Sequence, residues 1–89
     1  MEAAGILHEA FVRSRAFPHV QPRCLYYDLM NAEQHDYHFA VRFNQAKCGG
    51  ESPSNLLGRF AVVDGHVLWS DTAAGGTLKP LDAFLKRRY

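Results

Sequence analysis

Apolar side chains recur at three- and four-residue spacing from Glu2 to about Arg15. Ala3, Ile6, Leu7, Ala10 and Phe11 share one face, and Glu2, Glu9, Arg13 and Arg15 are left for water. That period predicts an amphipathic helix. Pro18 ends it or follows it closely, and Pro22 holds the next residues extended, so Phe17 to Arg23 reads as a linker. From Cys24 the period falls to two. Leu25, Tyr27 and Leu29 alternate with Tyr26, Asp28 and Met30. After the polar stretch Asn31 to Asp36, a second alternation sets Tyr37, Phe39, Val41 and Phe43 against His38, Ala40, Arg42 and Asn44. The pattern predicts two half-buried strands joined as a hairpin.

Lys47 to Asn55 has no period and collects Gly49, Gly50 and Pro53, which predicts an exposed loop. A third strand follows from about Leu56 to Val63, with Gly58, Phe60 and Val62 on one face and Arg59 and Ala61 on the other. Asp64-Gly65 suits a type I′ turn, which needs positive φ at both central positions, so His66 to Ser70 becomes a fourth strand hairpinned to the third. Thr72 to Gly76 is small and flexible in composition. Leu78, Leu81, Phe84 and Leu85 then return to helical spacing, with Pro80 in a first turn; an extended tail is the alternative for 78–88. The expected fold is α+β: an N-terminal helix packed on a four-stranded antiparallel meander, with a short C-terminal helix, in a single domain over residues 1–89.

In that arrangement one sheet face carries Leu25, Tyr27, Leu29, Tyr37, Phe39, Val41, Phe43, Phe60, Val62, Val67 and Trp69, enough for the first helix to cover. The opposite face receives Tyr26, Met30, Ala40, Ala61, Val63 and Leu68, and is less polar than a solvated sheet requires. Either the C-terminal helix folds over this second face or the face meets a partner. The residues placed to meet one are Tyr26, Arg42, Arg59 and Leu68, together with Gly49 and Gly50 in the loop.

Charge narrows the choice of partner. With 10 Lys+Arg against 9 Asp+Glu over 89 residues, the net charge is +1, so no global field draws the chain to nucleic acid or an acidic membrane. Only Arg42 and Arg59 stand on the second face, too few for a nucleic-acid groove. No apolar run approaches the ~18 residues of a membrane span, and the segment Met1-Glu2-Ala3-Ala4 has no signal-peptide pattern. Lys79, Lys86, Arg87 and Arg88 cluster near the end, where they complement the dipole of a C-terminal helix or meet an acidic partner.

Cys24 and Cys48 are the most informative pair. If the first hairpin turns near Asp36, the two positions fall opposite one another and a disulfide is geometrically reasonable; a turn nearer Glu33 would spoil that register. The bond would close a loop of about 25 residues, worth about 3 kcal/mol in the chain-entropy model. It implies an oxidising compartment, periplasmic or extracellular, whereas free cysteines return the cytoplasm to contention. A free Cys48 would instead be a nucleophile, with His35, His38 or His66 as its base. The five histidines lack metal-ligand spacing, and Gly49-Gly50 and Gly75-Gly76 lack the phosphate-loop lysine, so no metal, cofactor or catalytic set is expected.

The stretch Tyr37-His38-Phe39-Ala40-Val41-Arg42-Phe43 through Lys47-Cys48-Gly49-Gly50, with Gly58-Arg59-Phe60-Ala61-Val62 and Gly65-His66-Val67-Leu68-Trp69, resembles small bacterial envelope proteins. The overall pattern also resembles PepSY-type domains, in which a helix precedes a short meander; the Cys-Gly-Gly loop is not part of theirs. The resemblance covers about half of the chain and transfers no functional residue. It implies a binding or inhibitory module acting outside the cytoplasm. The expectation is therefore a non-enzymatic protein-binding module of a bacterial envelope. A small Cys/His enzyme and a toxin-neutralising immunity protein are the alternatives, and homodimerisation through an open edge or face is a further option.

Overall fold

Helix α1 runs from Ala3 to Ser14 in a computed structural model that describes residues 2–49 and 56–87. Leu7 and Phe11, one turn apart, are its buried residues, and Arg15 closes it in the left-handed conformation with its N–H on the Phe11 carbonyl. The linker is more ordered than its prolines alone predict. The Val20 amide bonds back to Phe17, and Pro22–Cys24 forms a 3-10 turn before the sheet begins. The first strand accordingly starts one residue after Cys24.

Among the described residues, five antiparallel strands form one sheet in sequence order: β1 (Leu25–Glu33), β2 (Asp36–Phe43), β3 (Leu56–Val63), β4 (His66–Asp71) and β5 (Thr77–Pro80). Short helices α2 (Gln45–Cys48) and α3 (Leu81–Arg87) complete the described elements. The α+β class and the antiparallel meander agree with the sequence pattern; the strand count does not. Leu78, expected to open a helix, pairs with Ser70 in β5, and the helix starts at Leu81. The reversal that allows this is local. The Asp71 side chain caps the 3-10 turn Thr72–Ala74, and Gly75 and Gly76 follow at φ 73° and 83°. Pro80 then sits at the end of an edge strand, where no ladder hydrogen bond is asked of its nitrogen.

The first hairpin turns at Gln34-His35 rather than at Asp36, because the strands continue to Glu33 and resume at Asp36. A bulge between Leu29 and Asn31 takes up Met30, which therefore leaves the strict alternation expected of it. The second hairpin has Asp64 at φ 50° and Gly65 at φ 80°, the two positive values that a type I′ turn demands.

The core lies between the sheet and both long-range helical contacts. Leu7, Phe11, Phe39, Val41, Phe60, Val62 and Trp69 form its centre, with Phe17 and Phe84 packed against it. Phe60 is the hub: its ring centroid lies 4.8 Å from Phe11 and 5.1 Å from Phe84, joining α1 and α3 through β3. Its ring lies over Gly58, where an added Cβ would stand 2.9 Å from Phe60 Cε1, so the strand needs glycine for a close approach rather than for a turn.

Candidate functional site

Both α1 and α3 pack on the face that carries Phe60 and Trp69, through Phe11 and Phe84. The C-terminal helix thus leaves the opposite face of the sheet uncovered by either of these helices. The register gathers the expected partner residues there. Tyr26 pairs directly with Arg42, Ala40 with Arg59, and Ala61 with Leu68, which makes a diagonal band across β1 to β4. Tyr26 is half exposed, and Leu56 and Leu78 add exposed apolar surface to the same face. Ala40 and Ala61 are fully buried although they point to this side. Both stand at the sheet centre between longer neighbours, Arg59 beside Ala40 and Leu68 beside Ala61.

Charge on the face is partly internal. Arg42 Nε lies 3.6 Å from Asp28 Oδ2, an ion pair between β1 and β2. Arg59 is exposed, and no hydrogen bond or ion pair engages it among the described residues. Gly49 follows α2 at φ 77° with open space where a side chain would project, at the sheet end that holds Tyr26 and Arg42. Gly50 lies outside the described residues.

Cys24 and Cys48 are bonded, with Cα atoms 5.9 Å apart, but strand register does not bring them together. The hairpin places Asn44 opposite Cys24, and the Asn44 amide donates to the Cys24 carbonyl. Asn44 then caps α2 by accepting from the Lys47 amide, and one turn of helix carries Cys48 back over Cys24. Residues 45–48 are therefore helical, where the sequence alone leaves Lys47 and Cys48 in a loop. His35, His38 and His66 belong to the other half of the hairpins, where Asp36 and His38 pair with Val63 and Ala61.

A cleft occurs where β3 and β4 part. Their pairing ends at Arg59 and Ser70, and β4 turns away at Thr72, which leaves a cleft of about 440 Å³ lined by Leu56, Arg59, Trp69, Asp71, Phe84 and Arg87 among others. Asp71 is its electrostatic centre and is only 5% exposed. Lys79 Nζ donates to one carboxylate oxygen at 2.9 Å, and Arg87 Nη1 donates to the other at 3.0 Å. The second oxygen also accepts from the Ala73 amide. Arg87 reaches this position across the Trp69 ring, 5.5 Å from its centroid. Of the cations expected to complement a helix dipole or meet an acidic partner, Lys86 and Arg87 stand in the last turn of α3, whereas Lys79 lies in β5; Lys79 and Arg87 both engage one buried carboxylate. Arg88 lies outside the described residues.

The Lys79 hydrogen bond holds the Asp71 carboxyl below its ordinary value of 3.8. Burial works against this, and the charges of Lys79 and Arg87 and the Ala73 amide work with it. Because the folded value lies below the unfolded one, the stabilisation is complete above about pH 4 to 5 and is lost as the pH falls through the folded value. Acidification should therefore loosen β5 and α3, seen as a change in Trp69 fluorescence below pH about 4. Asp71→Asn should abolish that step. An unchanged acid transition in the variant would remove Asp71 as its cause.

Elsewhere, His8 Nδ1 lies 2.6 Å from the Tyr27 hydroxyl, and burial pushes the Tyr27 phenol above its usual range. The pair ties α1 to β1. Among the described residues no helix is long and apolar enough to cross a membrane, and no three His, Cys, Asp or Glu side chains gather as metal ligands. Comparison with protein-family models, with curated proteins and with solved structures finds no match for the chain.

Proposed function

We propose that this chain is a non-enzymatic protein-binding or inhibitory module of a bacterial envelope, PepSY-like in character, and that it meets its partner with the open sheet face. The observation that carries the reading is the diagonal of Tyr26, Arg42, Arg59 and Leu68 on a face to which neither α1 nor α3 contributes cover. Tyr and Arg are among the residue types that interfaces and their hot spots concentrate. The Cys24–Cys48 bond supports an oxidising compartment. Gly49, beside that bond, supplies a small backbone surface at the edge of the same region.

Site-specific photo-crosslinking tests the reading. With p-benzoylphenylalanine placed in turn at Tyr26, Arg59 and Leu68, a periplasmic extract should give one discrete adduct common to all three. The same probe at Arg13, exposed on α1, should give none. An adduct of twice the chain mass would identify a second copy as the partner. Adducts of equal pattern from Arg13, or none from the sheet face, would overturn the assignment.

A further inference from the structure

The two edges of the sheet differ in character. On one side β5 is four residues long, closes on Pro80 and commits its Lys79 to Asp71, so it offers little ladder to another chain. On the other side β1 runs for nine residues with no proline and no lysine, and β2 is its only strand neighbour among the described residues. One hydrogen bond fixes which backbone groups of β1 face inward. The Asn44 amide donates to the Cys24 carbonyl, so in the alternation of an antiparallel ladder Tyr26 and Asp28 also turn their backbone groups toward β2. Leu25, Tyr27 and Leu29 then turn theirs outward. The Leu25 amide is held by the Pro22 carbonyl, which leaves the Leu25 carbonyl and both groups of Tyr27 and Leu29 facing no strand among the described residues. The 3-10 turn Pro22–Cys24 bounds this regular edge at one end and the Met30 bulge bounds it at the other. Exposed apolar side chains gather along it: Tyr26, Leu29 and Met30 are half exposed, and Val12 of α1, also half exposed, lines one groove with Leu25.

From this we propose that β1 pairs with β1 of a second copy of the chain, antiparallel about a two-fold axis at Tyr27, so that two sheets join into one. An axis normal to the sheet sets residues equidistant from it opposite one another. Centred on Tyr27, it places Leu25 opposite Leu29 of the second copy on the core side, and Tyr26 opposite Asp28 of the second copy on the open side. Tyr27 and its counterpart exchange both backbone bonds, and each Leu29 amide donates to the Leu25 carbonyl of the other copy. Neighbouring centres fit worse. An axis at Asp28 sets two carboxylates face to face, one at Leu29 carries Tyr27 past the bulge to Asn31, and one at Tyr26 sends Asp28 to Cys24 in the 3-10 turn. Asp28 is the sole charge between Leu25 and Leu29 and already lies beside Arg42 of its own chain. The edge therefore carries no unmatched charge that would select a partner of opposite sign, whereas its apolar and aromatic residues match their own repeat. The open face stays uncovered in both copies, so this association neither rests on the use of that face nor competes with it.

Sedimentation velocity of the intact oxidised protein from about 10 μM to about 1 mM reads the association, with a shift from 10.0 kDa to twice that mass expected as concentration rises. In a mixture of isotope-labelled and unlabelled chains, filtered NMR spectra should show an intermolecular contact between the α-protons of Tyr26 and Asp28, which a non-hydrogen-bonded pair brings close. The amides of Tyr27 and Leu29 should gain exchange protection with concentration. Leu29→Lys puts a charge on the edge that symmetry repeats at both ends of the ladder, and should raise the dimerisation midpoint at least about tenfold. Leu68→Asp, on the open face, should leave the midpoint unchanged. The α-proton contact is read on the unaltered chain, so the outcome does not depend on a variant folding. Photo-crosslinks from Arg59 and Leu68 to a foreign protein would stand whether or not dimers form, which keeps the two readings separable. A chain still monomeric at about 1 mM, a dimer without the Tyr26–Asp28 contact, or a dimer broken by Leu68→Asp and not by Leu29→Lys would overturn the proposal.

Discussion

Replacing Phe60 by alanine is expected to cost about 3–5 kcal/mol, the largest single-residue loss in this chain. A domain of this length holds roughly 0.05–0.15 kcal/mol per residue, so the loss would take a large share of the total. The reason is position as much as size. Phe60 is 1% exposed and contacts Phe11 and Phe17 at the α1 side and Phe84 at the α3 side, so its removal opens a cavity that neither helix can close alone. Its neighbour Gly58 has no side chain to fill the space. Urea melts of Phe60→Ala and Phe60→Leu against the parent would check this, with the leucine variant retaining more than half of the lost stability. A loss below about 1 kcal/mol for alanine would mean that the two helices are not joined through this ring, since buried Phe→Ala replacements run well above that value.

The period-two segments made the sheet legible, since an alternation of apolar and polar side chains has one geometric meaning when one face is buried. Every residue assigned to the face of Phe60 is on it, including Leu29, which is half exposed at the edge of β1. The failures lie where a pattern is too short to carry a period. Thr77 to Pro80 offers four residues, one of them a proline, and its apolar members merge by eye with the helix that follows. The clue was the turn chemistry before it: an aspartate two residues ahead of a free amide, then two glycines. Once β5 is placed, Lys79 stands beside Trp69 and one step from Asp71, and the buried carboxylate has its first cation. Arg87 could not be read from sequence, because its approach depends on the direction in which α3 leaves the sheet.

The candidate face was legible for the same reason as the core, being its complement. What the sequence left open was its cover, since Leu81, Phe84 and Leu85 could serve either side of the sheet. The packing decides for the Phe60 side because Phe17, Phe60 and Trp69 together form a pocket of ring edges for Phe84. The far side offers Ala40 and Ala61 at its centre, which give a helix little apolar area to bury.

Removal of the disulfide is the second large effect. Cys24→Ala with Cys48→Ala should lower stability by about 3 kcal/mol and the Tm by roughly 12–24 °C, from the loop entropy released in the unfolded chain. Local structure should respond before the sheet does. Helix α2 is one turn long and buries none of its residues, and the bond and the Asn44 cap are among its restraints. Its amides at Cys48 and Gly49, which donate to the Asn44 and Gln45 carbonyls, should lose exchange protection on reduction. The amide of Asn44, held by Cys24 across the end of the hairpin, should keep most of its protection because β1 and β2 remain paired next to it. Had strand register joined the cysteines, reduction would fray that end of the β1–β2 ladder instead. Exchange measured with and without reductant separates the two. Loss confined to 45–49 follows from a helical turn that returns Cys48 to Cys24, while loss spreading to Tyr26 and Arg42 would mean that the bond also holds the end of the open face in place.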